Sequence, residues 1–240
     1  MHLGLLILLS LLPLNFAYAK NLTSMLLAES QTNRTKRLMA ITGDEEYGDD
    51  QAVWDKTYTR TEYIFGKTPA DFLVKSLHWL PKKGAALDIA TGEGRNAVFL
   101  AKNGYQVEGI DISRVGLEKA QKLAAENKVK LQAVQADLNH YKIKPNYYSV
   151  ILNFYYLQRN LFAEIKNGLK PGGVIIFEGN TTEQLKNAVA NSWQKEYLLE
   201  PGELKRVFSD FEILYYSESN DGKNAIASLV ARKHPTPAQQ

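Results

Sequence analysis

The stretch Asp88-Ile-Ala-Thr-Gly92-Glu-Gly94-Arg-Asn-Ala97 sets a carboxylate four positions ahead of a pair of glycines. Gly92, Gly94 and Ala97 fit the G-x-G-x-x-G/A fingerprint, in which a strand-to-helix turn cradles an adenosine-containing cofactor. Asp111 follows Gly92 by 19 residues, close to the roughly 20-residue offset at which a carboxylate grips ribose hydroxyls. Asp137, after LQAVQA, is placed to accept from an adenine amino group while Ile112 or Leu138 packs on the ring. Three acids at three successive strand ends outline one adenosine-binding edge.

Which cofactor the edge takes turns on Asp88. A nicotinamide-binding turn starts at the strand end with apolar residues before it. Here an acid lies inside the strand, as D-x-x-x-G-x-G, and this spacing suits S-adenosylmethionine. A backbone without Cβ at Gly92 and Gly94 lets the methionine part come close, and a carboxylate nearby accepts from its ammonium or from water around it. Asp111 does not separate the two cofactors. Two alternatives stay open: an NAD-dependent oxidoreductase, and a non-catalytic adenosine-ligand-binding Rossmann module.

Methyl transfer from a sulfonium is an in-line displacement with an activated donor, so alignment supplies much of the catalysis and neither triad nor metal is required. Tyr155 and Tyr156 offer aromatic faces to a cationic donor or a substrate. Asn153-Phe-Tyr-Tyr156 has the outline of the N-P-P-Y signature for amide or aromatic amine substrates. It lacks both prolines, and with them the fixed φ that shapes the accepting carbonyls. Arg159 suits an anionic substrate or a helix cap. His78 and His140 have no second ligand at metal spacing, and the absence of cysteine removes thiolate metal sites, disulfides and cysteine nucleophiles together.

The elements that must carry these residues alternate as βαβ units. Residues 69–79 read as an amphipathic helix ahead of the sheet, stopped by Pro81 to Gly84. Strands are expected at 85–90, 107–112, 130–135, 148–154 and 174–178, the fourth a continuous apolar run suited to a strand buried on both faces. Helices are expected at 95–103, 115–127, 161–169 and 201–208, and Pro171-Gly172-Gly173 as a turn. The β-rich runs 211–217 and 225–232 flank a polar loop and read as a terminal hairpin. The fold class is α/β, a doubly wound Rossmann-like seven-stranded sheet, mostly parallel with an antiparallel C-terminal hairpin strand.

At 240 residues the chain suits one such domain, assigned to 51–235. Its net charge of +3 is spread rather than gathered into basic blocks, which argues for a small-molecule substrate and against nucleic acid. Residues 1–19 have an apolar run ending in Ala17-Tyr18-Ala19, the profile of a signal peptide or membrane anchor. Residues 20–50 read as a linker or arm. Export to the periplasm is the expectation, with a cytoplasmic location if the start lies at Met39 or the segment is an uncleaved anchor; membrane contact is expected through 1–19 alone.

The stretches ALDIATGEGRNAVFLA, VEGIDIS, VQADL, NFYYLQRNLFAEIKNGLKPGGVIIFE and LLEPGELKRVFSDFEILYY resemble the class I S-adenosylmethionine-dependent methyltransferases, most of all the small bacterial tellurite-resistance-type (TehB-like) branch, over residues 54–233. The resemblance implies S-adenosylmethionine as cofactor, with Asp88, Gly92 and Gly94 as the methionine-end loop, Asp111 as the ribose ligand and Asp137 as the adenine ligand. Asn153 and Phe154 would lie beside the sulfonium. Arg95 is similar to an arginine common in the branch, and Asn96 stands where the commonest family form has a third glycine. WDKTYTRTEYIFGKTP is similar to a covering N-terminal region, with Tyr58, Tyr63, Phe65 and Lys67 as its candidates. It also implies a small acceptor, such as a thiol or a tellurium or selenium oxyanion, with Asn153, Tyr155 and Arg159 aligning it.

Overall fold

The computed structural model describes residues 50–187 and 194–235. The signal-like segment 1–19 and the arm through residue 49 lie outside the described residues. Seven strands form one sheet: β1 (Ala85–Ile89), β2 (Gln106–Asp111), β3 (Leu131–Gln135), β4 (Tyr148–Phe154), β5 (Leu169–Asn180), β6 (Glu212–Asn220) and β7 (Ala225–Arg232), in the order β3-β2-β1-β4-β5-β7-β6. The first five run parallel, and β7 inserts antiparallel between β5 and β6. The order reverses between β1 and β4, and a doubly wound sheet opens its ligand crevice at that point, beyond the carboxyl ends of the strands.

The helices are α1 (Asp50–Tyr58), α2 (Asp71–Ser76), α3 (Arg95–Lys102), α4 (Arg114–Glu126), α5 (Leu161–Gly168) and α6 (Glu203–Val207). Because β1 and β4 are covered on both faces, their side chains feed two separate cores. Leu87, Ile89 and Ile151 join one with α5 and α6; Ala86, Val150 and Leu152 join the other with α2 and α3. This two-sided burial is why β4 reads as an unbroken apolar run rather than an alternating one.

Two elements differ from expectation. The helix expected over 69–79 is α2 followed by a 3-10 turn, Leu77–Trp79, because Leu80 must be extended ahead of Pro81 (ψ 146°). Pro171-Gly172-Gly173 lies inside a longer β5 instead of preceding it. Gly172 turns left-handed (φ 77°), the β4 register shifts between Tyr148 and Val150, and reciprocal bonds with Lys233 hold the irregularity (Gly172 N to Lys233 O, 2.9 Å; Lys233 N to Gly173 O, 2.9 Å). A helix at 50–58 has no strong sequence signal, since Tyr58 is the residue it buries.

Candidate functional site

The turn after β1 is built from left-handed residues: Ala90 (φ 52°), Gly92 (φ 54°) and Gly94 (φ 83°). Asp88 holds it from below, its Oδ2 accepting the Thr91 hydroxyl at 2.7 Å. Burial pushes the Asp88 carboxyl up to about 7, against the Thr91 hydrogen bond and the nearby Arg95 charge. Asp111 holds the turn from the side: Oδ2 accepts Gly92 N–H at 2.7 Å and Oδ1 accepts Ser113 N–H at 2.9 Å. Burial raises it to about 6, with those backbone donors opposing.

The two glycines serve different ends. A Cβ on Gly92 would stand 2.7 Å from the Tyr58 hydroxyl, and one on Gly94 would stand 2.6 Å from Ala120 Cβ and 2.9 Å from its Cα. Gly94 therefore allows α4 to pack against the turn and faces away from the crevice, where Gly92 is a wall.

Above the turn lies a cavity of about 400 Å³. Asp111, Ile112, Asp137 and Leu138 line it. Asp137 Oδ1 accepts Asn139 N–H at 2.8 Å, while its Oδ2 has His140 Nε2 at 3.8 Å. Asp88, Arg95, Phe154, Tyr155, Tyr156, Asn180, Tyr197 and Leu199 complete the lining. Trp54 and Tyr58 of α1, stacked at 5.5 Å, form a wall with Phe65.

That wall is pinned by a set of polar contacts. Asp55 Oδ1 accepts from Ser113 Oγ (2.6 Å) and Val115 N (3.1 Å), tying α1 to the start of α4. Burial tends to raise Asp55, but these donors hold it below the usual carboxylate value. Lys119 of α4 pairs with buried Glu93 at 2.5 Å and donates to the carbonyls of Arg60 and Glu62, both at 2.8 Å. Glu93 in turn accepts Ile64 N–H at 2.7 Å. Asn96 accepts Ala70 N–H at 2.9 Å, so the residue at the third-glycine position fastens the same segment to the turn. A charged residue between two glycines and a lysine on a helix face were the visible signals; their pairing required the fold.

The expected site residues divide. Asp88, Gly92, Arg95, Asp111, Ile112, Asp137, Leu138, Phe154 and Tyr155 come together around the cavity, and Gly94 supports it from outside. Asn153 is buried on the opposite strand face from Phe154, with Ile151, and does not line the cavity. Arg159 is turned away: it forms a fork on Glu203 (Nε–Oε1 2.7 Å, Nη2–Oε2 2.9 Å) and donates to the carbonyls of Glu196 and Leu198 at 2.9 Å, which fixes the Tyr197 and Leu199 wall. Among the covering candidates Tyr58 and Phe65 reach the cavity. Tyr63 and Lys67 instead lie against α4, Tyr63 donating to Lys119 O at 3.0 Å and Lys67 pairing with Glu126 at 2.6 Å.

A doubly wound sheet ending in an antiparallel hairpin, with a glycine turn and strand-end acids around one crevice, defines the class I methyltransferase fold. Residues 86–173 match the family model for a methyltransferase domain. The chain is similar to Hemagglutinin 1 of Eikenella corrodens, 27% identical over 141 residues (55% of this chain, 45% of that one). It is also similar to the ribosomal RNA small subunit methyltransferase C of Alcanivorax borkumensis, 28% identical over 111 residues (43% of this chain, 34% of that one). Among solved structures, TehB from Haemophilus influenzae shares the fold with a TM-score of 0.58 and 20% identity, over 76% of this chain and 66% of that one. The chain thus spans less than half the length of these two curated relatives.

Proposed function

We propose that the protein transfers a methyl group from S-adenosylmethionine to a small-molecule acceptor. The observation that carries this reading is the single cavity wall on which Gly92, Asp111 and Asp137 meet at the carboxyl ends of β1, β2 and β3. The residues fit the cofactor: each Asp111 oxygen keeps a lone pair beyond its backbone bond, which would serve ribose hydroxyls, and Asp137, beside the apolar Ile112 and Leu138, would accept from an adenine amine. A volume of about 400 Å³ lies in the range of small-ligand sites.

When bound, the cofactor supplies an electrophilic methyl group on a cationic sulfur. The protein's part is placement. Tyr155 and Tyr156 present aromatic side chains to the cavity, and the Trp54, Tyr58 and Phe65 wall excludes water from it. The catalytic unit we assign runs from 51 to 235, because α1 supplies that wall. A relative named for ribosomal RNA makes nucleic acid the competing acceptor class; the walled cavity and the dispersed charge of +3 favour a small molecule such as a thiol or a chalcogen oxyanion.

Isothermal titration of the full chain with S-adenosylmethionine, S-adenosylhomocysteine and NAD tests the reading. Micromolar binding of the first two, without binding of NAD, is expected. Absence of binding by either sulfur ligand overturns it.

A further inference from the structure

Tyr155 ends β4 with φ at 58°, a left-handed backbone that costs a bulky aromatic residue free energy and that concentrates at functional sites. Neighbouring strand β5 over-determines it. Tyr155 N donates to Glu178 O at 2.7 Å, and the Tyr155 hydroxyl donates to Oε1 of the same glutamate at 2.8 Å. The second carboxylate oxygen accepts the Ser228 hydroxyl from β7 at 2.9 Å. Tyr155 thus lines the cavity with its hydroxyl held on the Glu178 carboxylate, and Gly179 and Asn180, the next residues of β5, are also on the wall.

Resting on the proposed methyltransferase reading, we propose that Tyr155, backed by Glu178, is the proton-accepting device of the acceptor end, and that the natural acceptor carries a neutral protic nucleophile: a thiol, hydroxyl or amine. A nucleophile of this kind must lose a proton when it gains a methyl group, whereas an oxyanion need not. In the step, the acceptor's X–H proton passes to Tyr155 Oη as the tyrosine's own proton passes to Glu178 Oε1. The new X–C bond forms, the S–C bond breaks, and its electron pair returns to sulfur. The device ends as neutral tyrosine and protonated Glu178, with atoms and charge balanced. Tyr155 is the catalytic residue, and Glu178, acting through it, is a positioning residue.

The surroundings suit that traffic. Burial raises the Glu178 carboxyl above its usual value, so that it is a better proton acceptor, while Tyr155, Ser228 and the Arg95 guanidinium of α3 keep it from rising further; Asp71 of α2 faces it as a second carboxylate. The same Arg95 and Asp71 charges face Tyr155.

The test uses 4-nitrophenol, whose ionisation is visible, added to the full chain saturated with S-adenosylhomocysteine at a pH below the phenol's own pKa. Wild type is expected to bind it as the coloured phenolate; Glu178→Gln and Tyr155→Phe are expected to bind S-adenosylhomocysteine within about twofold of wild type yet leave the probe protonated. With a thiol acceptor panel, both variants should lose about a hundredfold or more in kcat at neutral pH and recover it as pH approaches the acceptor's pKa. Ser228→Ala, which keeps the pair but removes a stabiliser of ionised Glu178, should move the acid limb of the pH–rate profile upward. The inference is overturned if the probe binds wild type protonated, if it fails to bind the S-adenosylhomocysteine complex, or if the variants keep wild-type pH profiles. Failure of S-adenosylhomocysteine to bind would instead remove the methyltransferase reading on which it rests.

Discussion

Asp111 accepts the backbone N–H of Gly92 at 2.7 Å, so the acid at the end of β2 holds the glycine turn that follows β1. One side chain thereby shapes the turn and faces the cavity. Asp111→Ala removes both roles at once and frees the Gly92 and Ser113 donors. Hydrogen bonds to an ionised group contribute about 1.5–3 kcal/mol each, so affinity for S-adenosylhomocysteine should fall on the order of 100-fold, with a measurable loss of stability. Asp111→Asn keeps an acceptor for one donor and should lose less. Calorimetric titration with parallel thermal melts checks this; unchanged affinity in Asp111→Ala would remove the residue from the site.

The glycines separate by what stands opposite them. Gly94→Ala drives a methyl group into the Ala120 backbone, which cannot move without shifting α4, and does so at φ 83°. It should destabilise the domain by a few kcal/mol, through overpacking and strain together. Gly92→Ala meets instead the hydroxyl of Tyr58, with the ring carbon behind it at 3.4 Å. Its effect should be smaller on stability and partly relieved by Tyr58→Phe. Urea unfolding of the two single variants and the double variant gives the comparison; equal losses with no relief would contradict it.

The Lys119–Glu93 pair, with side chains 15% and 2% exposed, is the fastener of the covering segment. Lys119→Met leaves a carboxylate buried without its cation, which typically costs 3–5 kcal/mol. Adding Glu93→Gln removes the stranded charge and should recover part of that stability. Neither should restore cofactor affinity fully, because the carbonyls of Arg60 and Glu62 lose their shared donor and the Tyr58 and Phe65 wall loosens. Double-mutant analysis of melting and binding tests the separation.

How far these relationships were legible differs by kind. Strand positions followed from local pattern: β4 and β7 lie where their apolar runs predict them, because both are buried and leave no ambiguity of register. Asp111 and Asp137 were legible because strand-end position is a matter of spacing. Arg159 was not: its position beyond β4 suggested a ligand, but Glu203 and two carbonyls of the 196–198 segment, more than 35 residues on, claim its donors. The resemblance put Asn153 beside the cavity, and the two-residue alternation of β4 turns it to the other face. α1 escaped notice because a helix that buries Tyr58 alone has no amphipathic stripe to read.

Buried carboxylates make the ligand-free domain sensitive to pH in a definite direction. Asp88 near 7 and Asp111 near 6 both lie above their unfolded value of 3.8, so the folded state binds protons more tightly. Their stabilising contribution is complete below that value and is lost as pH rises through 6 and 7. Asp55, Glu108 and Glu203 are depressed and act oppositely, losing their contribution as pH falls through their folded values. Between about pH 5 and pH 8 the raised pair governs, and the melting temperature should fall as pH rises across that window. Asp88→Asn keeps an acceptor for the Thr91 hydroxyl yet cannot ionise, so it should flatten the dependence and raise stability at the alkaline end. Melting curves of wild type and Asp88→Asn across the window decide it; a wild-type curve that climbs with pH would show that these carboxyls are not raised in solution.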